Sequence, residues 1–92
     1  MHDNNFYKRA DEHIKLSNNQ ITKEIPLGDI GASMMYSTAR FNAWMNAYSC
    51  ENAVEMKIKK QEAMDYFMEE YRKMLNDNLD EYIENFDAYM KE

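Results

Sequence analysis

Apolar residues recur along this chain at steps of three and four. Phe6, Ala10, Ile14, Ser17 and Ile21 are spaced by four, four, three and four, which places them on one stripe of a helix. Lys8, Arg9, Asp11, Glu12 and Lys15 take the other sides. Asp3, Asn4 and Asn5 stand ahead of the stripe, and each has a side chain able to accept a bond from a free helical N–H. A first helix is therefore predicted over about residues 4–24. A second, over about 32–49, carries Ala32, Tyr36, Ala39, Ala43, Ala47 and Cys50 on one face and Phe41, Trp44, Met45 and Tyr48 on the next. A helix apolar over that much of its circumference is expected to lie between others. Between the two, Ile25 to Gly31 reads as a loop. Pro26 biases Ile25 away from helix, and Gly28 and Gly31 permit positive φ.

Ser49-Cys50-Glu51-Asn52 reads as a tight turn with a fresh cap, Ser49 or Asn52. Beyond it, Met64, Met68, Tyr71, Leu75, Leu79, Tyr82, Phe86 and Met90 are spaced 4, 3, 4, 4, 3, 4 and 4. Met64, Leu75 and Phe86 thus define an eleven-residue period, about 3.67 residues per turn, which a nearly straight helix satisfies. The phase holds across Asn76-Asp77-Asn78, the one weak point. A long C-terminal helix over about 52–91 follows, with 76–78 as the place where it would break to give a four-helix bundle. Unbroken, it would run roughly 60 Å, and a hairpin of two 20-residue helices would cover about half of it. Leu79, Tyr82, Ile83, Phe86 and Met90 would then stay uncovered unless a second chain lay on them, and an open apolar stripe of that size marks an interface.

Composition narrows this picture without redirecting it. Ninety-two residues, 45% apolar and 30% charged, make one folded domain, 1–92. The two glycines and single proline all lie between Pro26 and Gly31, so the expected fold class is all-α: a helical hairpin packed on the long C-terminal helix. The net charge of −6 sits mostly at the end, where Asp77, Asp80, Glu81, Glu84, Asp87 and Glu92 face only Lys91. An acidic end repels phosphate, which disfavours nucleic acid and anionic membranes. The acids otherwise serve as a solvated, solubilising face. Cys50 is the only cysteine, which suits a reducing compartment. The opening Met1-His2-Asp3-Asn4-Asn5 has neither a basic nor an apolar region, so no signal peptide is expected. With no apolar run longer than three residues, no membrane span is expected either, and the default location is cytoplasmic.

Chemistry is sparse. His13 follows Asp11 and Glu12, but consecutive helical residues point apart and cannot converge on one ion. His2 lies in a segment expected to fray. The i,i+4 pairs Asp65–Glu69, Asp77–Glu81 and Asp80–Glu84 lie off the apolar stripe, and the inward Glu-x-x-His of di-iron bundles is missing. Glu51 and a helix C-terminus both disfavour a Cys50 thiolate. No P-loop, dinucleotide fingerprint, zinc spacing or nucleophile elbow occurs. Neither an enzyme nor a bound cofactor or metal is expected. The exception is Arg40, which shares a helix face with Ser33 and Ser37 and stands among Tyr36, Phe41 and Trp44. Its guanidinium must reach solvent or meet a carboxylate. Read structurally, it pairs with an acid of the long helix. Read functionally, Arg40, Tyr36 and Trp44 hold an anion or small molecule.

Three segments carry a resemblance: Phe6-Tyr7-Lys8-Arg9-Ala10-Asp11; Met35-Tyr36-Ser37-Thr38-Ala39-Arg40-Phe41-Asn42-Ala43-Trp44; and Tyr66-Phe67 through Tyr71-Arg72-Lys73-Met74-Leu75 to Asn78-Leu79-Asp80 and Asn85-Phe86. They resemble a small bacterial family catalogued only as a domain of unknown function. The resemblance implies a compact helical bacterial protein with no assigned activity, and it supplies no catalytic residues. The resulting expectation is a non-enzymatic helical interaction protein. Its partner would be another protein or, by preference, a second copy forming a homodimer through Leu79, Tyr82, Ile83, Phe86 and Met90.

Overall fold

The computed structural model describes residues 3–91. It holds α1 (Phe6–Asn19), α2 (Leu27–Tyr48), α3 (Ala53–Ile58), α4 (Lys60–Glu84) and α5 (Phe86–Met90), and no strand occurs among the described residues. The all-α expectation holds. The chain divides into two compact units, Met1–Ala43 and Trp44–Glu92.

In the first unit, none of Asp3, Asn4 and Asn5 caps α1 with its side chain, and Asp3 instead braces the turn ahead of the helix. Its carboxylate accepts from the Asn5 backbone N–H at 2.8 Å and from the Arg9 guanidinium at 2.9 and 3.3 Å. That bond, and then the charge of Asp3, hold the Arg9 guanidinium above its usual range. Asn5 stands at the N-cap without a side-chain bond to the helix. The covered side of α1 is Phe6, Ala10 and Ser17, all half-buried, while Ile14 is exposed. On α2, Ile30 at 7% exposure is the buried apolar residue, with Met34 half-buried one turn on.

The loop between these helices is displaced from its expected place. α1 stops at Asn19 rather than near residue 24, where two poor helix formers, Asn18 and Asn19, meet. The N–H groups of Gln20 and Ile21 turn back to the carbonyls of Ser17 and Asn18 at 3.0 and 3.1 Å, which tightens the last turn. α2 then begins at Leu27 rather than at 32. Pro26 has no N–H to leave unsatisfied at a helix start, and its carbonyl accepts from Asp29 and Ile30 at 3.0 and 3.4 Å. Gly28 and Gly31 are therefore helical, and neither has positive φ.

In the second unit, Asn52 is the cap. Its side chain accepts from the Glu55 N–H at 2.9 Å, and the Glu55 carboxylate reaches back to the Glu51 N–H at 2.6 Å, a reciprocal arrangement close to a capping box. That backbone bond, followed by Lys59, holds the Glu55 carboxyl below its usual range. The expected 40-residue helix is formed in three pieces. The interruptions are the single residues Lys59 (φ −89°, ψ 3°) and Asn85 (φ −113°, ψ 24°). Helical bonds span both, from Ala63 to Lys59 and from Tyr89 to Asn85, each 3.0 Å. At Asn85 the side-chain amide also donates to the Glu81 carbonyl at 2.9 Å, competing with the backbone there. The helix does not break at 76–78, so the four-helix alternative is not formed there. Asn78 donates to the Met74 carbonyl at 2.7 Å and Asn76 reaches Asp80 at 3.5 Å, spending their polar groups along the helix. No helix of the described residues is long and apolar enough to cross a membrane.

A Cβ added at Gly31 meets nothing within 4 Å, and glycine inside a helix costs about 1 kcal/mol relative to alanine. Gly31→Ala should raise unfolding stability by about 0.5–1 kcal/mol in denaturant titration. A loss of stability would show that α2 needs the glycine for a close approach.

Candidate functional site

The covered side of α4 is set by Ala63, Phe67 and Glu70, all half-buried and spaced by four and three. The long apolar stripe is a different side of the same helix. Met64, Met68, Tyr71 and Leu75 are exposed, and from Tyr71 to Lys91 every residue is exposed. Leu79, Tyr82, Ile83, Phe86 and Met90 stand at 54, 50, 71, 51 and 59% exposure. Asp77, Asp80, Glu81 and Glu84 lie two-thirds of a half-turn or more from the Leu75 line by the helical period. The result is a helix with a wet acidic back and an open apolar front.

Polar bonding along the backs of the turns stiffens it. Lys73 pairs with Glu70 at 3.1 Å, Arg72 with Glu69 at 3.7 Å, and Gln61 donates to Asp65 at 2.9 Å. The Glu70 bond holds the Lys73 ammonium above its usual range. Each such pair is exposed and screened by water, so it orders the side chains more than it stabilises the fold. Asp65, Met68, Glu69, Tyr71, Arg72 and Leu75 border a shallow, open depression on α4 itself. Residues of one helix face supply a floor and no walls, which suits an interdigitating side chain better than an enclosed small molecule.

Tyr89 joins the site, although the sequence reading passed over it. Its ring meets that of Tyr82 edge to face, with centroids 5.0 Å apart, and its hydroxyl donates to a Glu81 carboxylate oxygen at 2.7 Å. The seven-residue step from Tyr82 to Tyr89 was the available signal. It was hidden because Phe86 and Met90 continue the same stripe on either side. α5 is thus tied to α4 across Asn85, and the aromatic end of the stripe is locally ordered.

The other candidates are dispersed. Tyr36, Arg40 and Trp44 recur every fourth residue along α2, with Tyr36 and Arg40 in the first unit and Trp44 in the second. All three are exposed. No carboxylate among residues 3–43 pairs with Arg40, while Trp44 stacks obliquely on Tyr48 at 5.3 Å. His13 is exposed and Cys50 is a half-buried free thiol. His2 lies outside the described residues. Among the described residues, no three His, Cys, Asp or Glu side chains gather closely enough to hold a metal ion.

Comparison with known proteins gives the chain its relatives. The family model described as Protein of unknown function (DUF3144) matches residues 6–83. The chain belongs to that family. Leu79, Tyr82 and Ile83 fall inside the match, and Phe86 and Met90 lie just beyond it. A solved structure of a similar protein, the NMR structure of the protein NB7890A from Shewanella sp, is 51% identical. It is matched over 96% of this chain and 93% of that one, with a TM-score of 0.78. No curated protein matches the chain.

The Glu81 bond, then loss of hydration and the Glu81 charge, push the Tyr89 hydroxyl above its usual range near 10. The bond is whole below that range and is lost as pH rises through the raised value. Glu81→Gln should bring Tyr89 titration, followed by ring chemical shifts, back toward the ordinary range. An unmoved titration would mean the hydroxyl is held by something else.

Proposed function

We propose that this family member is a non-enzymatic interaction protein that pairs with a second copy of itself through Leu79, Tyr82, Ile83, Phe86 and Met90. The observation that carries this reading is the unbroken exposure from Tyr71 to Lys91 along an apolar stripe in constant helical phase. Burying such a side chain is worth about 1.5–3 kcal/mol. A stripe of five left in water is therefore a large unused driving force, and patches of this kind mark interaction sites.

The acidic backs of α4 and α5 keep the assembled protein soluble, and they disfavour an anionic membrane as the covering surface.

Sedimentation equilibrium at micromolar concentration should report a dimer. Leu79→Asp, which places a charge in the centre of the stripe, should weaken association about a hundredfold, or roughly 2.7 kcal/mol, while circular dichroism at high concentration keeps its helical shape. A wild-type chain that is monomeric throughout, with Leu79→Asp indistinguishable from it, would overturn the reading.

A further inference from the structure

The stripe has a symmetry that specifies how a second copy lies on it. About Leu75, seven of its eight members are mirrored at offsets of 4, 7 and 11 residues: Tyr71, Met68 and Met64 before, Leu79, Tyr82 and Phe86 after, with Met90 alone falling opposite a lysine, Lys60. The helices agree with the sequence. α4 and α5 together run from Lys60 to Met90, and Leu75 is the midpoint of that span. A self-complementary two-fold interface requires a surface that matches itself when turned end for end, and this one does.

Resting on the self-association reading above, we infer that the second copy lies antiparallel, with the two-fold axis at Leu75. Met64 then meets the second copy's Phe86, Met68 meets its Tyr82, Tyr71 meets its Leu79, and Leu75 meets Leu75. Every aromatic ring is matched with a flexible or branched aliphatic chain, and two of the three matches are the methionine–aromatic contacts that thioethers favour. A parallel pairing in register would instead set Tyr71, Tyr82 and Phe86 each against its own copy in a seam with no small residue to make room.

Charge decides in the same direction. Residues 77–87 carry five carboxylates and no lysine or arginine. Parallel chains would lay this segment beside itself, at a spacing of 8–10 Å between helix axes, where salt screens only partly. Turned about Leu75, the segment runs beside residues 63–73 instead, where Asp65, Glu69 and Glu70 are offset by Arg72 and Lys73. The centres of the two acidic segments are thereby offset along the axis by 14 residues, about 21 Å.

Spin labels at Glu84→Cys, in a Cys50→Ser background, read the orientation from an exposed position on the back of α4. In the antiparallel pair the two labels are offset along the axis by 18 residues, about 27 Å, and should measure more than about 30 Å apart. In a parallel pair they share one level and should measure about 20 Å, two helix diameters. Disulfide formation gives a second readout. Met68→Cys chains mixed with Tyr82→Cys chains should cross-link to each other and neither to itself. A dimer with close labels, or with Tyr82→Cys linked to itself, overturns the antiparallel register and leaves self-association standing. A dimer in which no combination cross-links puts the seam on another helix and also overturns it. A chain that stays monomeric at all concentrations overturns both the register and the association beneath it.

Discussion

A helix satisfies its own backbone, but it keeps its apolar face from water only by lying on something else. That constraint governs this protein. Five helices satisfy the backbone through nearly the whole described chain, and local side-chain bonds at Asp3, Asn52, Glu55 and Asn78 tie up much of what remains. The apolar faces are another matter. Ile30 is buried and a handful of residues around Phe6, Met34, Met56 and Phe67 are partly covered, while the longest apolar stripe in the molecule lies open. Local structure is well provided for, and burial is not.

The same imbalance explains how α4 can be both ordered and unfinished. Ion pairs at i,i+3 and the amide bonds of Asn76, Asn78 and Asn85 hold it along its own length, and the Tyr89–Glu81 bond ties α5 to its end. These interactions are exposed and individually weak. They fix the direction and phase of the stripe rather than its stability, so it is presented in register to whatever covers it. A preordered surface loses less conformational entropy on association than a disordered segment would.

Much of this was legible in the sequence, because helical phase is a strong signal and the chain has few breakers. The all-α class, the continuity through Asn76-Asp77-Asn78 and the open residues from Leu79 onward all follow from spacing, and of the two cap candidates, Ser49 and Asn52, the second is the one used. What escaped were single-residue effects. The two glycines were read as loop because glycine permits positive φ, yet Pro26 starts a helix directly after itself and carries Gly28 and Gly31 into it. The interruption at Lys59 has no breaker residue to announce it, and Asn85 is a single asparagine within an otherwise helical phase. Each retains helical bonds on both sides, so only the dihedral angles reveal them. Tyr89 was hidden by its neighbours on the stripe.

If burial is completed between chains, association stabilises the folded chain, and stability depends on protein concentration. The most direct measurement is the thermal unfolding midpoint across a hundredfold range of concentration at fixed pH and salt. A midpoint that climbs steadily with concentration is the result expected. A sharp, cooperative midpoint that stays the same from the most dilute sample to the most concentrated would mean that one chain completes its own core, and would contradict the central claim.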